Sequence, residues 1–116
     1  MSQSVWHVGN ARGEGQDRRG WIIGHFVDDN DIRRSEDVEI KWGVHSAGEK
    51  RAAWQDEECR TTVLLLVKGM FRVELSTEDF VLEHEGDYAM WGPGVSHSWR
   101  AEEDSVVITV RWPSTP

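Results

Sequence analysis

An antiparallel all-β domain, a jelly-roll barrel, is the fold this 116-residue sequence predicts. No segment sustains the 3.6-residue apolar period of a core helix. Short β-branched or alternating runs recur instead at roughly 8–12-residue intervals, separated by Gly- and Asp-rich turns. The length allows a single core, in which a chain of this size buries roughly 60–70% of its unfolded surface.

Residues 1–20 carry Gly9, Gly13, Gly15 and Gly20 among polar side chains, and read as an irregular N-terminal arm with a short strand at Val5-Trp6-His7-Val8. Residues 21–116 are expected to form one barrel domain. Trp21 to Val27 is its first strand candidate, ended by the acidic run Asp28-Asp29-Asn30-Asp31, a solvated turn. From Val38 to His45, Val38, Ile40, Trp42 and Val44 share one face, and Glu39, Lys41, Gly43 and His45 share the other. Alternation fixes these two faces without saying which is inside. Ser46 to Arg60 is polar and reads as a loop with one helical turn near Ala52-Ala53-Trp54. Thr61 to Val67 has the composition of a strand buried on both faces. Lys68-Gly69 turns tightly into Met70 to Leu75, and Phe80 to Glu83 and Ser105 to Trp112 complete the strands.

The net charge of -8 and pI near 5.0 argue against a nucleic-acid or anionic-membrane partner. The longest apolar run, Val63 to Val67, is far below the ~18 residues of a spanning helix. With no basic-then-apolar start, a cytoplasmic location is expected. Cys59 is the sole cysteine, and its Asp56-Glu57-Glu58 neighbours favour the protonated, inert thiol. No Gly-x-Ser-x-Gly elbow, phosphate loop or Cys-x-x-Cys pair is present. His7, His25 and His84 read as surface or packing residues.

The stretch Gly86 to Trp99 leaves one strand, reverses through Gly92-Pro93-Gly94 and enters another at His97, placing a ring nitrogen where it can face a cavity. It resembles the second motif of the cupin superfamily, G-x5-P-x-G-x2-H-x3-N. Gly86, Gly94 and His97 fall on their positions, whereas Gly92 stands at the proline, with Pro93 one residue later, and Ala101 at the asparagine. The first motif, G-x5-H-x-H-x3–4-E-x6-G, is degenerate. Closing it on Gly69 puts Thr62 at the glutamate position. Taking His45 as its second histidine puts Glu49 at the glutamate and Gly43 at the first histidine. The resemblance spans Trp21 to Trp112 and implies a single double-stranded β-helix.

Cupins commonly hold a metal on histidines and a carboxylate. The resemblance therefore implies His45, Glu49 and His97 as ligands of one divalent transition metal (Fe, Mn, Ni or Zn). His45 and His97 would then be the catalytic groups of an isomerase, lyase or oxygenase acting on a small polar or anionic molecule. A second reading starts from the polar strand faces. If Glu39, Lys41 and His45, and Val107, Thr109 and Arg111, point inward, a cavity gathers Lys41, His45, His97 and Arg111 beside Trp91 and Trp99, with Arg51 reaching in from the loop. Buried cations need a carboxylate partner or an anionic ligand. This describes a metal-free binding or sensing module for a small organic acid or polyol. A homodimer is expected, formed through edge strands or the N-terminal strand.

Overall fold

The computed structural model describes residues 5–51, 53–55 and 59–116. Eight strands follow a short helix α1 (Ala11–Glu14) and a 3₁₀ turn (Gln16–Arg18): β1 (Trp21–Ile23), β2 (Glu39–His45), β3 (Thr61–Lys68), β4 (Phe71–Leu75), β5 (Asp79–Leu82), β6 (Tyr88–Trp91), β7 (His97–Ala101) and β8 (Ser105–Trp112). They form a five-stranded sheet of order β1-β2-β8-β3-β6 and a three-stranded sheet of order β5-β4-β7. Every strand pair is antiparallel. The two sheets enclose a core of Leu64, Leu66, Phe71, Val73, Leu82 and Trp91, extended by Ala101 and Val107. The jelly-roll expectation holds.

Register decides the question that alternation left open. Across the large sheet, Glu39 stands opposite Arg111, Arg111 opposite Thr62, and Thr62 opposite Trp91. The next inward row is Lys41, Thr109, Leu64 and Ala89. The polar face of β2 therefore points into the barrel, and Ile40, Trp42 and Val44 point away from it.

Four local expectations are corrected. Val5 to Val8 forms no strand, because no neighbouring strand pairs with it, and Val5, Trp6 and Val8 are exposed. The strand starting at Trp21 ends at Ile23, where the chain leaves β2 and Gly24 bridges Arg34 instead. β3 is fully buried only at Thr62, Leu64 and Leu66. Its other face, at Val63, Leu65 and Val67, is half-buried, since nothing in the chain covers it among the described residues. The segment after His45 is more than a loop. Gly48 and Arg51 donate backbone N–H groups to the Ala101 and Trp99 carbonyls, and Gln55 and His97 exchange bonds of 2.8 and 3.0 Å, so it runs along the open edge of β7. Ala53 and Trp54 are not helical, and Ala52 lies outside the described residues.

The arm packs on the barrel through Gly20, whose carbonyl accepts from the Trp42 N–H at 2.9 Å. Asn10 caps α1 by accepting the Gly13 N–H.

The β3–β4 turn depends on glycine. Gly69 has φ +103°, and a Cβ there would lie 2.4 Å from the Asp104 carbonyl oxygen and the Ser105 Oγ. Gly69→Ala is expected to cost more than about 2 kcal/mol, from left-handed strain plus that clash, and to lower the melting temperature by roughly 8 °C or more. Thermal denaturation checks this, with the exposed Lys68→Ala as a control that leaves stability unchanged.

Candidate functional site

The space between the sheets opens to solvent beside β2. Inside lies a cavity of about 60 Å³, whose walls include Thr62, Trp91, His97 and Thr109. Outside lies a cleft of about 880 Å³ bordered by the arm, β2 and the segment along β7. Lys41, His45, Arg51 and Trp99 line both, and so form the junction between them. The inner space is far smaller than the cleft and suits one small polar group, such as a carboxylate or a hydroxymethyl group. The body of any larger ligand must sit in the cleft.

His45, the last residue of β2, is buried, with its ring centroid 4.5 Å from that of Trp99 and 5.5 Å from that of Phe71. Its Nδ1 lies 2.8 Å from Glu49 Oε1, while the Ser46 N–H donates to Oε2 at 3.2 Å. A carboxylate can only accept, so Nδ1 carries a proton, and the neutral form of the ring has its lone pair on Nε2. The His45 hydrogen bond is the main reason the Glu49 carboxyl sits below its ordinary range, with the Ser46 N–H adding to it against the effect of burial. Its folded-state pKa is thus depressed. The stability it contributes is present above the unfolded value near 4.5 and is lost as pH falls through the lower folded value. In a carboxyl NMR titration, Glu49 is expected to titrate below 4.5, and His45→Phe to return it upward. An unchanged midpoint in His45→Phe would refute the contact.

His97 opens β7, as the sequence placed it, and is buried against Trp91 with ring centroids 4.7 Å apart. Its Nδ1 faces the Val95 carbonyl at 3.2 Å, which selects the same tautomer, Nδ1–H with the lone pair on Nε2. The preceding turn is held by Asp87, whose Oδ2 accepts from the Glu83 and His84 N–H groups at 3.0 and 2.9 Å. Thr62 is also buried at the cavity wall, and its Oγ1 has no hydrogen-bond partner among the described residues. Such an atom carries a desolvation cost of about 1–3 kcal/mol, which a polar ligand group would relieve.

The cleft is cationic. Arg12, Arg19, Lys41, Lys50 and Arg51 line it, and among the described residues Glu49 is the acid that does. Burial above all, and then the charges of Arg111, Arg51 and Arg19, push the Lys41 ammonium below its ordinary pKa, with Glu49 opposing them. Among the described residues neither Lys41 nor Arg51 forms an ion pair. Arg51 donates instead to the neutral Gln55 Oε1 at 2.6 Å.

Arg111 differs from its reading as a ligand-binding cation. It borders the cavity, but its Nε donates to Glu39 Oε2 at 2.8 Å and its Nη2 to the same oxygen, and its guanidinium stacks 4.3 Å over the Trp21 ring. Glu39 is 1% exposed, and Arg60 (3.2 Å) and the Ser114 hydroxyl (2.9 Å) also donate to it. His25 contacts Ser114 Oγ through its backbone N–H and Nδ1. The carboxylate partner that a buried guanidinium requires is therefore supplied by the chain itself.

No family model matches the sequence, and no curated protein does. Solved structures match in shape. KdgF from Halomonas sp. superposes with a TM-score of 0.63 at 26% identity, covering 70% of this chain and 74% of that one. An RmlC-like cupin from Shewanella frigidimarina gives 0.61 at 19% identity, covering 68% of each chain. A cupin superfamily protein from Desulfitobacterium hafniense gives 0.61 at 17%, covering 67% and 69%. The chain has the cupin fold.

The metal of many cupins finds no matching donor set here. Among the described residues no three His, Cys, Asp or Glu side chains gather to hold an ion. Glu49 pairs with His45 as a hydrogen-bond acceptor, and His97 does not join them in a three-donor group. At Gly43, the first histidine position of the cupin motif, a Cβ would lie 2.8 Å from His45 Nε2. The His45 ring thus occupies the room that a side chain there would need.

Sequence reasoning missed the roles of four residues. Thr62 appeared only as an alignment position, and its orphaned hydroxyl follows from the inward row it shares with Arg111. Arg12 and Arg19 lay in an arm read as irregular, and only its docking on β2 brings them to the cleft. Glu39 looked like one more polar strand residue. A buried acid directly opposite an arginine was the available signal.

Proposed function

We propose that this cupin is a metal-free binder of a small organic acid, which places one polar end in the barrel cavity and its body in the cleft. The observation that carries this is the gathering of Arg12, Arg19, Lys41, Lys50 and Arg51 around one opening in a chain of net charge -8. Clefts in which one sign of charge predominates concentrate the oppositely charged ligand. Lys41 and Arg51 grip the acidic group, Thr62 bonds the inserted end, and Trp99 and Trp54 pack on the body.

The test is thermal stabilisation by a sugar acid, gluconate, against its neutral counterpart glucose. Ligand at a hundred times its Kd adds about 2.7 kcal/mol to stability. Gluconate is expected to raise the melting temperature, less so at high salt, and glucose is expected to leave it unchanged. The rise should survive dialysis against chelator. If neither gluconate nor α,ω-dicarboxylates of increasing length stabilise the protein, the proposal fails.

A second reading, proton-transfer catalysis, is favoured by the His45–Glu49 pair, a base held in one tautomer by a carboxylate at 2.8 Å. Positioned beside a carbon bonded to the gripped carboxylate, His45 Nε2 would exchange that carbon's proton. Solvent deuterium entering a bound acid with wild type, and not with His45→Ala, separates catalysis from binding alone.

A further inference from the structure

We propose that Arg12 and Arg19 of the N-terminal arm form a second anion subsite in the cleft, so that the ligand is an acid charged at both ends. The inference rests on the organic-acid reading above and adds the far end of the molecule to it. The arginines of this chain divide by partner. Arg33 and Arg34 pair with Asp31 and Asp29, Arg60 and Arg111 with Glu39, and Arg72 and Arg100 with Glu102. Arg18 lies over the Phe26 ring. Among the described residues, the arginines with neither a carboxylate nor a ring are Arg12, Arg19 and Arg51, and all of them line the same cleft. Acids are not scarce, since 21 Asp and Glu stand against 13 Lys and Arg. The acid in the cleft, Glu49, is already engaged by His45 Nδ1 and the Ser46 N–H.

Position separates these cations into two sets. Arg51 lines both cavity and cleft together with Lys41, at the mouth where the first acid is gripped. Arg12, in α1, and Arg19, after the 3₁₀ turn, border the cleft alone. They meet the part of a ligand that stays outside the barrel. Arg19 is also held at a cost. Its backbone is left-handed, with φ 56° and ψ 30°, a region where an L side chain is crowded and glycine is at ease. The next residue, Gly20, has φ 99° and is glycine, and a Cβ there would lie 2.4 Å from the Trp42 carbonyl oxygen. At Arg19 the chain keeps a long cation in a conformation that favours glycine, and among the described residues no ion pair repays it. Strain of this kind collects where a side chain serves a ligand. The charge of Arg19 also reaches the junction, where it helps lower the Lys41 pKa. An oxyanion beside Arg19 relieves that repulsion, and the planar guanidinium fork suits a carboxylate or a phosphate alike.

The experiment is calorimetric titration of the full chain at low ionic strength, where screening is weakest. The probes are gluconate, glucarate, and gluconate phosphorylated at its hydroxymethyl end, which differ only in the group far from the first carboxylate. Wild type is expected to bind at least one of the two-headed acids about tenfold tighter than gluconate, the scale of two exposed guanidinium contacts. The tighter of the two tells whether the second group is a carboxylate or a phosphate. Arg19→Gly is expected to shrink the preference to under about threefold while leaving gluconate affinity within about twofold, and Arg12→Gln to reduce it part-way. Arg19→Gly should also melt no lower than wild type, because relief of the left-handed strain offsets the freedom glycine has in the unfolded chain. If it melts lower, Arg19→Asn, which also tolerates that conformation, takes its place and must show the same loss of preference. A wild type that binds gluconate and both two-headed acids alike overturns the second subsite and leaves the organic-acid reading standing. So does a preference that survives both substitutions. If none of the three probes binds, both readings fall.

Discussion

Glu39→Ala is expected to melt at least about 12 °C below the wild-type protein. Glu39 is 1% exposed and accepts from Arg111, Arg60 and Ser114 at once. Arg111 and Glu39 are directly opposite on neighbouring strands, where side chains are held within reach whether or not they attract. Removing the acid leaves both guanidiniums in their half-buried positions without it, and breaking a buried pair from one side costs about 3–5 kcal/mol. At roughly 4 °C per kcal/mol for a domain of this size, the lower figure gives the stated shift. The cost comes from cations deprived of their acid and less from any net gain of the pair over apolar residues. Glu39→Met combined with Arg111→Met should therefore recover part of the loss. Calorimetry on the three variants decides. A fall of under 4 °C for Glu39→Ala, or a double variant worse than the single, would show that the network does not hold this end of the barrel.

The same pair explains why the fold was more legible than the site. Strand positions follow from alternation and turn residues, both local properties, and β2, β4 and β8 lie where the pattern put them. Which face of β2 is buried is not local. The apolar run Ile40, Trp42 and Val44 would ordinarily claim the interior. It loses because Glu39 finds Arg111 and Ser114, more than 70 residues along the chain, and because the barrel is filled from β3, β4 and β7. His97 was found because a glycine-set turn marks it locally. The cationic cleft was not, since Arg12 and Arg19 reach it through the packing of Gly20 on Trp42. Lys41, Arg51, His45 and Trp99 were each singled out in the sequence, but only the pairing of Gly48, Arg51 and Gln55 with β7 makes them one junction.

Lys41→Met is expected to abolish ligand-dependent stabilisation while leaving the unliganded protein as stable as wild type or more so. The two effects have opposite signs because the charge is held at a cost. Burial and the neighbouring arginines lower the Lys41 pKa, so its ammonium form is less favourable in the folded chain than in the unfolded one. That penalty is present at neutral pH and fades as pH rises through the depressed folded value. Methionine fills similar volume without the charge and removes the penalty, although it forgoes the cation–π contact with Trp21 at 5.7 Å. An acid bound at the junction would face the ammonium directly, and a charge-assisted hydrogen bond of this kind is worth about 1.5–3 kcal/mol, or roughly 10–150-fold in affinity. Arg51→Gln, which keeps a polar side chain beside Gln55, should lose affinity over a similar range without the gain in unliganded stability. Melting curves of both variants with and without gluconate separate the outcomes. If Lys41→Met destabilises the unliganded protein as strongly as a core truncation, the lysine serves packing. If it binds gluconate as wild type does, the acid is held elsewhere in the cleft.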